Sequence, residues 1–131
     1  MFFALIEADN KEKLKIKLKK TDRENLNDKI FNNFKNDFKD FNCYQIFNFQ
    51  YCILGETSSK DKILSLIEEW ITDYDKHDYD LLNQDINISI TYSVGISFKT
   101  DKTFDLNYFI KKVIDNLDDA KEQGGNQIVT D

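Results

Sequence analysis

The run Ile86-Asn87-Ile88-Ser89-Ile90-Thr91-Tyr92-Ser93-Val94-Gly95-Ile96-Ser97-Phe98, together with the segment after it, decides the fold. Ile86, Ile88, Ile90, Tyr92, Val94, Ile96 and Phe98 alternate with small or polar residues almost without a break. A period of two sends every second side chain to one face, so the run predicts a single long, half-buried strand. From Phe104 to Gln123 the period changes. Leu106, Phe109, Ile110, Val113, Ile114, Leu117 and Ala120 return at helical spacing and predict a helix with one apolar face. Gly124-Gly125 stops it, because glycine takes the left-handed conformation of a helix end at little cost. Gln127 to Val129 then predicts a closing strand.

Working outward to the N-terminus, Phe2 to Ile6 is a short continuous apolar run, the pattern of a buried central strand. It ends in Glu7-Ala8-Asp9-Asn10, and ligand sites of open α/β sheets gather at the carboxyl ends of strands. The next stretch, Lys11 to Lys20, alternates lysine with Leu14, Ile16 and Leu18, which fits a strand as well as a poor helix. It reads either as a solvated basic face or as a phosphate contact. Thr21-Asp22-Arg23-Glu24 fits a capping box. Leu26, Ile30, Phe31, Phe34, Phe38 and Phe41 come next at helical spacing and predict an amphipathic helix from Asp22 to about Asp40.

Cys43 to Phe47 and Gln50 to Leu54 are aromatic and β-branched runs around Asn48, the signature of a hairpin. Ser58-Ser59-Lys60-Asp61 offers an N-cap to a helix carrying Ile63, Leu64, Ile67, Trp70 and Ile71. Asp73 to Asp85 is polar and acidic and predicts a loop. Its aspartates do not make a calcium loop, since the sixth position lacks glycine and the twelfth lacks glutamate. His77, the only histidine, reads as a surface residue of that loop.

Composition sets the outer limits. The chain has 131 residues, 40% apolar and 14% aromatic, enough to bury one core, so residues 1–131 read as a single domain. Lys plus Arg is 18 against 24 Asp plus Glu, a net charge of −6, so double-stranded nucleic acid is not an expected partner. Arg23 is the only arginine, which argues against bidentate guanidinium clamps. Cys43 and Cys52 lie inside strand-like runs and read as buried, reduced thiols. The apolar stretch Met1 to Ala8 is too short for a signal sequence or a bilayer span, which predicts a cytoplasmic protein with no membrane partner. The order β–α–β–β–α–β–α–β predicts an α+β sandwich, a ferredoxin-like palm with helices packed on a mostly antiparallel sheet.

Ser93-Val94-Gly95-Ile96-Ser97, the long helix and Asp119-Ala120-Lys121-Glu122-Gln123-Gly124-Gly125-Asn126-Gln127-Ile128 together resemble the end of GGDEF domains. In that family a strand with an S-[IV]-G core precedes a helix ending in A-K-x-x-G-R-N. Ala120, Lys121, Gly124 and Asn126 match, and Gly125 replaces the arginine. Glu7-Ala8-Asp9 resembles the family's first-strand D-x-D. Tyr44 to Leu54 resembles the hairpin whose turn reads G-G-[DE]-E-F. The resemblance covers most of the chain and is similar in scale to the minimal CRISPR polymerase palms, which implies signalling or antiviral defence.

What the resemblance implies is a nucleotide cyclase with two magnesium ions, but the residues at the turn depart from it. Aligned on Tyr51-Cys52-Ile53-Leu54, the turn reads Phe47-Asn48-Phe49-Gln50-Tyr51. Phe47 and Asn48 stand where glycines let a backbone approach a nucleotide. Phe49 cannot ligate a cation and Gln50 offers only a neutral amide. The expectation is therefore a catalytically degenerate palm that binds a nucleotide, a cyclic nucleotide, a protein partner or a second copy. The rival readings are an active cyclase and an assembly module with no nucleotide. The residues implied are Lys121, Asn126 and Asn48 for a nucleotide, and Glu7 and Asp9 for a single magnesium ion. Each has a plainer reading: Glu7 and Asp9 as a strand end at the surface, Lys121 as an exposed helix lysine, Asn126 as a turn residue. Phe47, Phe49 and Tyr51 alternate and predict a face of rings, either core or a contact surface.

Overall fold

The computed structural model describes residues 1–81, 86–99 and 105–131. Its elements run β1 (Phe2–Ala8), α1 (Lys11–Lys17), α2 (Lys20–Asp37), β2 (Asn42–Phe47), β3 (Gln50–Gly55), α3 (Lys60–Thr72), β4 (Asp78–Leu81), β5 (Ile86–Ser89), β6 (Tyr92–Phe98), α4 (Leu106–Glu122) and β7 (Gln127–Thr130). The main sheet has the order β2-β3-β1-β6-β7. β1 lies in its centre, antiparallel to β3 and to β6, and β7 joins β6 in parallel. The predicted α+β palm with a mostly antiparallel sheet is therefore what the chain builds.

Alternation along β1 divides the interior in two. Phe2, Ala4, Ile6 and Ala8 enter a large core beneath α2 and α3. There Tyr51 stacks on Phe31 with centroids 5.4 Å apart, and Trp70 meets Phe34 edge-on at 5.4 Å. Leu5 on the opposite face joins Cys52, Val113 and Leu117 beneath α4, with Phe3 packed against them. Helix α4 comes so close to β6 that a Cβ on Gly95 would collide with the backbone of Val113 and Leu117. Gly95 is thus what lets the last helix sit flat on the sheet.

Several expectations change. The lysine-rich stretch, which fits strand or helix in sequence, is helical over Lys11–Lys17. Leu14 and Leu18, four residues apart, are both buried, while Ile16 is 85% exposed, so only two of the three apolar residues face the core. The capping box does not cap. Helix α2 starts at Lys20 behind Lys19, with no side-chain cap, and ends at Asp37. Arg23 instead donates to the carbonyls of Lys15 at 3.0 Å and Leu18 at 3.2 Å, tying off the carboxyl end of α1 across a two-residue connection.

The single long strand is two strands in two sheets. β5 pairs with β4 in a small hairpin and β6 enters the main sheet, with the change of partner at Ile90-Thr91. Ile88, Ile90, Tyr92 and Val94 are all buried in the same core, so the alternation continues across a break that it cannot report. The acidic loop accordingly contains a strand, β4; residues 82–85 of that loop, and the helix start placed at Phe104, lie outside the described residues. Asp105 caps α4 through Asn107 N at 2.9 Å. Of the two free cysteines, Cys52 is buried and Cys43 only half-buried, and burial pushes the Cys52 thiol up to about 11. Among the described residues no helix is long and apolar enough to cross a membrane.

Candidate functional site

The same alternation that sends Leu5 toward α4 sends Glu7 and Asp9 there too, at the carboxyl end of β1. Glu7 does not end a strand at the surface: it is 1% exposed. Its carboxylate accepts from Lys11 Nζ at 2.8 Å and from Gln50 Nε2 at 3.2 Å on one oxygen, and is paired with the Lys121 ammonium on the other. Gln50 faces it because β1 and β3 pair Glu7 with Gln50 in register. Lys11 reaches it from the first turn of α1, four residues on, and Lys121 from the last turn of α4.

Asp9 is satisfied differently. The Thr91 hydroxyl donates to Oδ2 at 2.7 Å, the Ser93 hydroxyl donates to Oδ1, and the backbone N–H of Asn126 donates to Oδ2 at 2.9 Å. Asp9 therefore fastens the turn after α4 to the ends of β1 and β6. Gly125 makes that possible. Its φ is +76°, and a Cβ there would stand 2.8 Å from the Asp9 carboxylate.

The hairpin turn sits beside this pair. Ala8 N–H donates to the Phe49 carbonyl at 2.9 Å, so the turn is strapped to the end of β1. Phe49 holds φ +64° and its ring is 2% exposed. Its N–H donates to Asn27 Oδ1 at 2.8 Å, and the Tyr51 hydroxyl donates to the same oxygen at 2.7 Å. Asn27, buried on α2, therefore fixes the turn from below. The predicted face of rings is divided: Phe49 and Tyr51 are core, whereas Phe47 is 66% exposed.

Two clefts flank Lys11. One of about 340 Å³ is lined by Glu7, Asp9, Lys11, Glu12, Lys121 and Gly125. Three carboxylates and two ammonium groups leave it formally at −1. The other, of about 420 Å³, is lined by Lys11, Lys15, Arg23, Phe47, Asn48 and Phe49, with three cationic side chains and no acidic one. Of the residues singled out in the sequence, Glu7, Asp9 and Lys121 line the first cleft, whereas Asn126 meets it only through its backbone N–H on Asp9 and its side-chain amide donates to the Tyr74 hydroxyl at 3.2 Å. Asn48 lines the second, across Lys11 from them. Thr91, Ser93 and Asn27 escape a reading of the sequence, and Lys15 enters it only as one lysine of the Lys11–Lys20 stretch. Lys11 carried a signal in its four-residue spacing from Glu7, which brings strand end and first helical turn together.

The donor set does not fit a pair of magnesium ions. Among the described residues no three His, Cys, Asp or Glu side chains gather as metal ligands. Magnesium demands oxygen ligands in a near-octahedral shell. Here the facing hairpin contributes an amide that donates to Glu7 rather than an oxygen that ligates.

His77 is not a surface residue. It is buried, its Nε2 lies 2.8 Å from the Trp70 carbonyl, and its ring meets those of Trp70 and Tyr92 edge-on. Burial lowers its pKa, so the ring is held neutral.

The sheet order, the helices on both faces and the hairpin strapped to the end of β1 define the fold as that of GGDEF palm domains. The GGDEF domain of FimX from Pseudomonas aeruginosa superposes with a TM-score of 0.85 at 15% identity, over 99% of this chain and 79% of that one. The active GGEEF domain of a diguanylate cyclase from Vibrio cholerae gives 0.80 at 15% identity, over 98% and 81%. The GGDEF domain of DgcB from Caulobacter crescentus, in complex with c-di-GMP, gives 0.80 at 10% identity, over 98% and 76%. No protein-family model matches the sequence and no curated protein sequence matches it either.

Proposed function

We propose that this chain is a catalytically degenerate GGDEF-fold protein that binds a nucleotide or cyclic nucleotide without polymerising it. One observation carries the reading: the turn facing Glu7 presents the Phe49 backbone and the Gln50 amide where a cyclase needs a carboxylate. Joining a 3′-hydroxyl to an α-phosphate relies on metal ions to activate the nucleophile and neutralise the leaving group. Glu7 and Asp9, already bonded to protein donors, are a poor base for that chemistry.

Binding has better support. The cleft with Lys11, Lys15 and Arg23 suits phosphate oxygens, Asn48 offers an amide on its rim, and the exposed Phe47 ring is a platform for a base. Lys121 lines the neighbouring cleft, on the other side of Lys11. That the DgcB domain is found with c-di-GMP supports a nucleotide as ligand class. A role in signalling or antiviral defence, and kinship with the minimal CRISPR polymerases, rest on the sequence resemblance alone.

A protein partner or second copy is favoured by a separate feature. Phe3, Tyr44, Ile46, Leu54, Leu106 and Ile110 line an apolar groove of about 380 Å³ between the β2 edge and α4. A GGDEF-fold relative, the cyclase SiaD of P. aeruginosa, is found in complex with its activator SiaC.

The test is a thermal-shift screen against nucleoside triphosphates and cyclic dinucleotides, paired with chromatography of the products. Ligand at a hundred times its dissociation constant adds about 2.7 kcal/mol, with no new product. Product that disappears in Glu7→Ala and Asp9→Ala would show an active cyclase, and a flat response to every nucleotide would leave only the partner reading.

A further inference from the structure

We infer that this site works without a divalent cation: Lys11 and Lys121 supply the positive charge that metal ions supply in a two-metal centre. The inference deepens the nucleotide-binding reading and its second half rests on it.

Three features point the same way. Glu7 is almost completely buried, and a carboxylate in that position needs counter-charge. It has an ammonium group on each oxygen, with the Gln50 amide as a third donor. A cation bound to Glu7 would sit beside two like charges, the ammonium groups of Lys11 and Lys121. Asp9 is committed as well. Thr91, Ser93 and the Asn126 N–H occupy it, and they hold the turn that Gly125 brings against it, so freeing its oxygens would loosen the junction of β1, β6 and α4. Finally, Gln50 stands opposite Glu7 in the sheet and points its Nε2 at the carboxylate. An amide nitrogen has no lone pair to offer a metal. In this arrangement Gln50 turns an N–H, not its oxygen, toward the carboxylate.

Lys11 also explains how a phosphate binds without metal. Lys11 lines both clefts, so the group that neutralises Glu7 also borders the cationic cleft of Lys15 and Arg23. Ammonium groups are point charges that hold phosphate oxygens directly. Magnesium bound to those oxygens would then compete with the lysines instead of assisting them.

Two measurements on the wild-type chain test this. In the first, Mn2+ alone is titrated at up to millimolar concentration and followed by electron paramagnetic resonance. No bound signal is expected. Mn2+ binding that Glu7→Gln or Asp9→Asn abolishes would overturn the inference, whether or not a nucleotide binds. In the second, ATP and GTP are titrated calorimetrically in magnesium and again in EDTA. Affinity in EDTA equal to that in magnesium, or tighter, is expected; a tenfold loss in EDTA would overturn it. If neither nucleotide binds in either buffer, the nucleotide reading fails while the manganese titration still decides the cation question. The paired change Lys11→Met with Lys121→Met strips both ammonium groups from Glu7 and is expected to create Mn2+ binding that the wild type lacks.

Discussion

Phe49→Gly puts back a residue type that suits the turn and removes a ring that suits the core, so its sign shows which of the two the position serves. A non-glycine residue in the left-handed region costs roughly 1–2 kcal/mol. Phe49 sits there, at φ +64°. Its ring is 2% exposed within the main core, and removing a buried phenylalanine costs about 3–5 kcal/mol. Glycine also gives the unfolded chain more freedom, worth about 0.5–1 kcal/mol relative to alanine. Packing wins: Phe49→Gly should destabilise by about 2–4 kcal/mol. Phe49→Ala loses the same ring but keeps the strained backbone, so it should be no more stable than the glycine variant, the reverse of the order seen at ordinary positions. Urea unfolding followed by tryptophan fluorescence is a direct assay. The chain has a single tryptophan, Trp70, and it packs against Phe34 and Phe38 in this same core. A glycine variant more stable than wild type, or an alanine variant clearly more stable than the glycine one, would refute the reasoning.

Two further outcomes can be checked in the same way. Gly125→Ala should cost about 1–3 kcal/mol, and more than Gly124→Ala: both have positive φ, but only at Gly125 does the new Cβ meet the Asp9 carboxylate, at 2.8 Å, whereas among the described residues nothing lies within 4 Å at Gly124. His77 gives a pH dependence. Burial holds its folded pKa below the ordinary value of 6.5, so the unfolded chain takes up a proton more readily. Its contribution is therefore complete above that value and is lost as pH falls through the depressed one, by no more than about 1.4 kcal/mol per pH unit. His77→Phe should flatten that part of the urea-derived stability profile, and an unchanged acid slope would count against a neutral, buried ring.

Local periodicity made part of the fold legible in the sequence. The amphipathic faces of α3 and α4, strand β3 and the buried first strand each carry their burial pattern in the order of residues, whereas the apolar residues of β2, at the sheet edge, are mostly exposed. Partner choice is not local. The alternation from Ile88 to Val94 reports burial in one core, but whether β4 or β1 provides the neighbouring strand depends on residues far away in the chain. Arg23 looked like part of a cap because Thr21 and Glu24 have the right spacing. The carbonyls of Lys15 and Leu18 are the stronger claim on it, and they exist only once α1 is helical. The site was half legible. Glu7 and Asp9 stand out because they follow a buried strand, Lys121 and Asn126 because they match the end of GGDEF domains. Asn27, Thr91 and Ser93 lie in the middle of patterns that predict only helix or strand, and only tertiary contact shows what they bind.

The replacements around Glu7 make sense together and not singly. A buried carboxylate is tolerable only with compensating charge and hydrogen bonds. A turn without a carboxylate would leave two magnesium ions short of ligands, and a Gln50 that donates would be a fault in a metal site. Add Lys11 and Lys121, and each of these becomes a favourable contact: the amide and the Lys11 ammonium donate to one Glu7 oxygen, and the Lys121 ammonium pairs with the other. The arrangement is thus complete in the chain alone, while the excess positive charge lies beside it, in the cleft of Lys15 and Arg23 that shares Lys11. On the binding reading proposed above, charge stored beside a compensated carboxylate would draw an anion in without activating it.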